Sequence, residues 1–353
     1  MRKLSVIMVI GSFFTFYGQV PEGYYDSATG QGYELKTQLY HIVKNHTETT
    51  YASLWNLYNH NSYKDFYYEN DQTLLDIYSE VPNGEDPYNY QIPTNQNSGI
   101  SGGEGTSYNR EHLIPQSIFG SAMPMMSDAH HILPADSHVN AQRGNLPFGN
   151  VIQANWVSMN GSKRGSSQMN DYVGNVFEPI DEFKGDVARS FFYFATRYQN
   201  LIPNWNYPMF DGSSNKVFKD EFLAILIHWH QIDPVSDRER AINDRIYNLQ
   251  NNRNPFVDVP DYVDMIWGDE LDVNQYQIQS TISIYPNPVN DGVLEIESAM
   301  SLKEVALYTK EGKMLYRIDA NSNYIKFRNL SKGMYLLKIN TYSTRKTYKI
   351  IVN

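Results

Sequence analysis

The chain has 353 residues, 41% of them hydrophobic and 14% aromatic, which is enough apolar material for one large or two ordinary packed cores and excludes a generally disordered protein. It has no cysteine, so disulfide scaffolds, thiolate catalysis and cysteine zinc sites are excluded together. The formal net charge of −10 is uneven: residues 282–353 carry 11 basic against 6 acidic side chains, a net of +5, and residues 1–281 carry −15. That balance argues against a protein that coats nucleic acid with a broad basic surface, although a bound divalent ion and a few arginines can supply a local positive field.

The first residues, MRKLSVIMVIGSFFTFYGQ, place Arg2 and Lys3 before an apolar run to Phe16 and a small residue at Gly18. This layout predicts a Sec signal peptide over residues 1–18, cleaved near Gly18 and Gln19. No later segment approaches the roughly 18 consecutive apolar residues of a membrane span. GYELKTQLYHIVKNH (32–46) spaces Leu35, Leu39, Ile42 and Val43 for a helix. Residues 60–108 are rich in Tyr, Asn, Asp, Gly and Pro and read as loops and short strands, ending in the surface loop SGISGGEG (98–105).

Two polar blocks follow, NREHLIPQSIFG (109–120) and SDAHHILPADSHVNAQRGNLPFGN (127–150), crowded with carboxylates, carboxamides, arginines and four histidines. A packed core tends to exclude such groups, and metal-assisted hydrolysis needs them. Pro115 lacks a ladder donor, so Glu111 and His112 sit near the end of a short strand. Adjacent strand residues face opposite sides, so this pair can share a site only at a twisted or bulged edge. Asp136 to Arg143 reads as a short helix with Asn140 one turn from Asp136, Arg143 one turn further, and Gly144 as its stop. A carboxylate and a carboxamide oxygen suit a hard ion, and a histidine suits a general base near neutral pH.

Downstream, DVARSFFYFATRYQNL (186–201) and DEFLAILIHWHQ (220–231) read as largely buried helices, in which His228 and His230 are packed residues rather than ligands. SDRERAINDRIYNLQNNR (236–253) opens with Ser236 and Glu239 at capping-box spacing and stops before Pro255. An acidic, polar linker over 269–281 leads into short alternating runs over 282–353, with turns at Asn290 to Gly292, Glu311 and Gly312, and Lys332 and Gly333. These predict a small Ig-like β-sandwich.

The segments NREHLIP, SDAHHILPADSHVN and NAQRGNLPFG, in this order and spacing, resemble the endonuclease I family of secreted or periplasmic His-Me finger (ββα-metal) nucleases. The similarity extends through much of residues 22–268, including DVARSFFYFATRY, HWHQIDPVSDRER and NNRNPF. The resemblance implies an α+β protein: a mainly helical nuclease domain over 19–268 with a ββα-metal core, followed by the all-β module. It implies metal-dependent hydrolysis of DNA phosphodiesters, and of RNA in some relatives, leaving 5′-phosphate ends. His112 matches the general base, and Glu111 and Asn140 match the protein ligands of one divalent cation, Mg²⁺ first, with Ca²⁺ or Mn²⁺ as alternatives.

Arg143 is the candidate for stabilising phosphate charge. Residues 113–142 contain no Arg or Lys where some relatives have an arginine, which leaves Arg110 and Arg164 as further phosphate contacts. Asp128, His130 and His131 either orient the catalytic groups or make purely structural hydrogen bonds. IYPNPVNDGVLEIE, LYTKEG, GMYLLKI and RKTYKIIVN resemble the C-terminal sorting domain of type IX secretion. That likeness implies contact with that machinery and a secreted or cell-surface location in a Gram-negative bacterium, with no stable protein partner otherwise. Two other readings stay open: a zinc hydrolase built on His112, His130, His131 and His138, and a non-catalytic surface protein that binds a glycan or partner.

Overall fold

The computed structural model describes residues 20–268 and 283–353, apart from 98, 100, 101, 168, 170, 171, 291, 311 and 342–344. The predicted signal peptide over 1–18 and the predicted linker over 269–281 therefore lie outside the described residues. In chain order come α1 (Gly32–Val43), α2 (Ser53–Tyr58), β1 (Tyr108–His112), β2 (Ile132–Asp136) and α3 (Ser137–Arg143). The strands β3 (Gln153–Val157), β4 (Lys163–Ser166) and β5 (Asn175–Glu178) follow. Then come α4 (Lys184–Arg197), α5 (Asp220–Ile232), α6 (Asp237–Gln250), α7 (Pro255–Asp258) and α8 (Tyr262–Trp267). Five strands close the chain: β6 (Ser283–Tyr285), β7 (Leu294–Thr309), β8 (Met314–Phe327), β9 (Gly333–Thr341) and β10 (Arg345–Val352).

Helix α4 is the axis of the first part. Every residue from Lys184 to Thr196 is buried, so it has no solvent stripe, and it packs against α5 and α1. Its Phe191, Phe192 and Phe194 join Phe218, Trp229 and Trp267 in an aromatic core, each ring removing about 150–250 Å² from water. Charges on a helix buried all round must be paired. Arg189 accordingly meets both oxygens of Glu239, at 2.5 and 2.7 Å, and Asp186 accepts from Arg238 at 2.9 Å. Glu239 also completes the predicted capping box of α6: its backbone N–H donates to the Ser236 hydroxyl at 3.1 Å, and the Ser236 N–H donates to its carboxylate at 3.0 Å.

The two polar blocks fold into β1, β2 and α3. The strands pair antiparallel in an unbroken register from Tyr108 opposite Asp136 to His112 opposite Ile132. Asp136 ends β2 and caps α3, accepting the Val139 N–H at 2.7 Å. Gly144, at φ +54°, ends the helix in a backbone conformation that side chains resist. Strands β3, β4 and β5 make a separate three-stranded antiparallel sheet.

The last five strands are all-β, as the alternating runs predict. They form one continuous antiparallel sheet, in which β7 pairs with β6 at its start and with β9 in its second half. Register shifts between Glu297 and Glu304 mark that change of neighbour. Leu294 and Ile296 from the first half and Val305 and Leu307 from the second are buried in the same cluster. The mix of helices and sheets makes the chain an α+β protein.

Candidate active site

Strand β1 presents side chains alternately to its two faces. On one face Asn109 and Glu111 look toward α3: Asn140 donates to Asn109 Oδ1 at 2.6 Å, and Arg143 Nη1 lies 3.2 Å from Glu111 Oε1. On the other face Arg110 and His112 meet Tyr51, whose ring lies 3.5 Å from the guanidinium carbon and 5.5 Å from the imidazole centroid. All four of these strand residues nevertheless line one cleft of about 270 Å³, together with Tyr51, Pro115, Gln116, Ser117, Asn140, Arg143, Gly144 and Asn145. The regular register shows that no bulge is needed to bring Glu111 and His112 to one site. Residues of β2 do not line the cleft, so it follows the edge of β1 that β2 leaves open, where both faces are within reach.

His112 is held at both ring nitrogens. Its Nε2 donates to the Met126 carbonyl at 3.2 Å, which leaves Nδ1 as an acceptor, and the Gln116 amide donates to it at 3.0 Å. The ring is 4% exposed, and burial, reinforced by the nearby His131, lowers its pKa to about 3. It is therefore neutral at physiological pH, with its basic nitrogen fixed by the hydrogen bond on the other side.

Glu111 is 1% exposed, and burial pushes its pKa up to about 7 against the opposing pull of Arg143 and the Tyr78 hydroxyl. Tyr78 donates to Glu111 Oε1 at 3.2 Å, the same oxygen that faces Arg143, so the lone pairs of Oε2 are left for another partner. Asn140 spends its N–H on Asn109 and keeps its carbonyl oxygen. A carboxylate oxygen and a carboxamide oxygen in one polar cleft form a hard donor set that fits an Mg²⁺- or Ca²⁺-like ion, whose remaining positions go to water or substrate oxygens.

Arg143 lines the cleft and is held from within by this chain. It is 1% exposed and donates to the carbonyls of His112, at 2.7 Å, and of Leu113, besides facing Glu111. Three acceptors on this chain already engage its guanidinium. Arg110, 8% exposed, stacks on Tyr51 and Trp55 and donates to the Tyr51 carbonyl at 2.8 Å, with its edge on the cleft. Arg164 does not line the cleft; it bridges Asn155 and Gln142 on the outer side of α3.

Asp128, His130 and His131 pack behind the site. Asp128 is fully buried and accepts from Tyr193, Tyr198 and Gln250 at 2.9, 2.7 and 2.9 Å. Burial alone would raise its pKa, but the facing histidines and these donors hold it below the usual carboxylate range. His130 donates to the Asn252 carbonyl and His131 to that of Met125. Together they fix the turn over 125–131 that offers the Met126 carbonyl to His112. His138 lies on α3 beside Trp156, so the four histidines of the zinc alternative do not converge, and they form no metal-binding group among the described residues.

Burial lowers both His130 and His131 to about 4. A histidine whose folded pKa lies below its unfolded value of about 6.5 costs nothing above that pH, and it destabilises progressively as pH falls toward 4, because only the unfolded chain takes the proton. His131→Gln, which keeps a donor for Met125, should therefore gain about 2–3 kcal/mol relative to the parent between pH 7.5 and 4.5. Urea unfolding at the two pH values reads this difference, and a constant gap between the two proteins would contradict it.

Sequence reasoning missed Tyr51, Tyr78, Asn109, Gln116 and the Met126 carbonyl. Asn109 and Gln116 lie inside the first polar block, three residues before and four after His112, and the block's own crowding could have found them. Tyr51 and Tyr78 come from distant loops, and nothing local marks them.

Residues 31–261 match the Endonuclease I family, and residues 283–353 match the Secretion system C-terminal sorting domain. The chain belongs to the Endonuclease I family. It is 33% identical over 250 residues to an extracellular ribonuclease of Bacillus subtilis (strain 168), covering 69% of this chain and 78% of that protein. The extracellular ribonuclease of Bacillus amyloliquefaciens is similarly 33% identical, over 252 residues, covering 70% and 78%. An Endonuclease-1 of Buchnera aphidicola subsp. Acyrthosiphon pisum (strain APS) is 26% identical over 131 residues, 37% of this chain and 44% of that protein. The endonuclease I domain is thus a nuclease, a phosphodiester hydrolase of a metal-dependent family. Its sorting domain directs the chain to type IX secretion and so to a surface or secreted location.

Proposed function

We propose that the endonuclease I domain, over residues 19–268, cleaves DNA and RNA at the β1–α3 cleft. His112 is the general base, Glu111 and Asn140 hold a single divalent cation, Mg²⁺ before Ca²⁺ or Mn²⁺, and β1, β2 and α3 form a ββα-metal (His-Me finger) core. The observation that carries this reading is the fixed tautomer of His112: Nε2 is spent on Met126, and Nδ1 is left basic in the cleft that Glu111 and Asn140 also line.

The ion, when bound, supplies positive charge against the developing phosphorane and the leaving oxygen. His112 Nδ1 takes the proton of the attacking water once that water displaces the Gln116 amide. The anionic phosphate beside the ring raises the low pKa of the imidazole and favours its protonated form in the transition state. Arg143 acts on the reaction through Glu111 and through the carbonyls of His112 and Leu113, holding base and ligand in one frame. Arg110 is the phosphate contact, because it reaches the cleft and Arg164 does not.

Attack by external water makes no use of a 2′-hydroxyl, which supports cleavage of both nucleic acids; the P–O3′ bond breaks and the 3′-oxygen takes a proton from solvent, leaving 5′-phosphate ends, and the extracellular ribonucleases among the relatives support RNA in particular. Export then proceeds by a Sec signal over 1–18 and through the outer membrane of a Gram-negative bacterium by the sorting domain. The test is to incubate the purified chain with plasmid, single-stranded DNA and RNA in Mg²⁺, in Ca²⁺ and in EDTA. Metal-dependent cleavage of all three is expected. Cleavage of RNA alone, with 2′,3′-cyclic ends, would contradict the water mechanism.

A further inference from the structure

We propose that Asp65, Glu69 and Glu80 form a second cation site, separate from the active-site cleft, that takes a Ca²⁺-class ion and ties the loop over 64–80 to the catalytic frame. One carboxylate oxygen from each of the three residues lies within 4.8 Å of the others. Asp65 and Glu80 are 2% and 1% exposed, and Glu69 closes the group from the solvent side. The sequence around them is one-sided, with seven acidic and no basic residues from Asp65 to Asp86.

Acidic residues often gather without an ion, but Glu80 is a stronger indication. Both of its carboxylate oxygens are buried, and neither has a hydrogen-bond partner. A carboxylate removed from water without donors is strongly disfavoured, and three facing each other more so, unless a cation joins them. Burial, then Asp86, Glu69 and Asp65, pushes Glu80 up to about 9 against the weaker pull of Arg238. Asp65 is already oriented: Oδ1 accepts the N–H groups of Tyr67 and Tyr68 at 2.9 Å each, and Oδ2 accepts that of Asn70 at 3.0 Å.

The donors are all hard oxygens on irregular backbone, which suits the 6–8 adaptable ligands of Ca²⁺ better than the strict octahedron of Mg²⁺. A protein carried outside the cell also meets Ca²⁺ at concentrations that fill extracellular sites with Kd values of about 10⁻⁴–10⁻³ M. The site connects to the catalytic frame over a short path. The Glu80 N–H donates to the Asp76 carbonyl at 3.1 Å, Asp76 accepts the N–H of Asp136 at 2.7 Å, and Tyr78 between them donates to Glu111. An ion at Glu80 therefore restrains the segment that supports both the α3 cap and the Glu111 carboxylate.

The test is equilibrium dialysis of the metal-stripped full chain against Ca²⁺, with melting temperature followed in parallel, for the parent, Glu80→Gln and Glu69→Gln. The parent should melt several degrees higher in saturating Ca²⁺ than in chelator. Glu80→Gln should bind one Ca²⁺ fewer per chain than the parent, and Glu69→Gln should weaken that one site at least tenfold. Glu69 is exposed, so its variant decides the matter even if Glu80→Gln fails to fold. Equal stoichiometry and affinity in the parent and Glu69→Gln, or no Ca²⁺ uptake at all, would overturn the site and leave Glu80 as a protonated acid or a partner of Arg238. The comparison reads a difference of one site, so its outcome is independent of whether the cleft at Glu111 also binds Ca²⁺.

Discussion

His112→Ala should lower kcat for plasmid nicking at saturating Mg²⁺ by about 10²–10⁴-fold, the usual contribution of a positioned general base. The loss should fall on kcat rather than KM, because His112 acts on the attacking water and the phosphate contact belongs to Arg110. Near-wild-type Mg²⁺ dependence should persist, since Glu111 and Asn140 remain. His112 lines the cleft, and its two hydrogen bonds go to Met126 and Gln116, which are only partly buried, so the variant should stay folded. Gln116→Ala should leave much more activity, because the Nε2 bond to Met126 still fixes the tautomer. Undiminished cleavage by His112→Ala would remove the base assignment.

Arg143→Met should destabilise the domain by about 3–5 kcal/mol, the cost of leaving one partner of a buried ion pair uncompensated. The change strands the Glu111 carboxylate, which is 1% exposed, and frees the His112 and Leu113 carbonyls from their donor. Glu111 then holds its proton more firmly, so Mg²⁺ affinity should fall as well, because the ion has to displace that proton. Denaturant unfolding of the single variants and of Arg143→Met with Glu111→Gln should show a large coupling energy, as contacting partners do. If Arg143→Met keeps wild-type stability and only raises KM, Arg143 contacts phosphate directly, as its place in the motif suggests.

Much of this site is legible along the chain, because β1, β2 and α3 are local. The turn spacing of Asn140 and Arg143 places them on one short helix that Asp136 caps, and Gly144 ends it where its φ of +54° favours glycine. Ser236 and Glu239 likewise announce their capping box three residues apart. What the sequence hides is long-range. Alternation along β1 separates Glu111 from His112, and only the open edge of a two-stranded sheet reunites them. Arg143 reads as a phosphate contact along the chain, and its engagement by Glu111 and two backbone carbonyls depends on the fold. Asp128 reads equally as an orienting or a structural residue along the chain, and the Tyr193, Tyr198 and Gln250 partners that hold it as a buried strut are brought to it only by the fold. The Tyr78 hydroxyl and the Met126 carbonyl depend on loop conformations that no periodicity encodes.

The most direct measurement of the central claim is Mg²⁺ dependence of plasmid cleavage by the EDTA-stripped chain, run beside Glu111→Gln and Asn140→Ala. A single ion held by these two side chains predicts no cleavage in EDTA, full recovery on adding Mg²⁺, and at least tenfold more Mg²⁺ for half-maximal rate in either variant. Cleavage that survives EDTA, or variants that share the parent's Mg²⁺ curve, would contradict it.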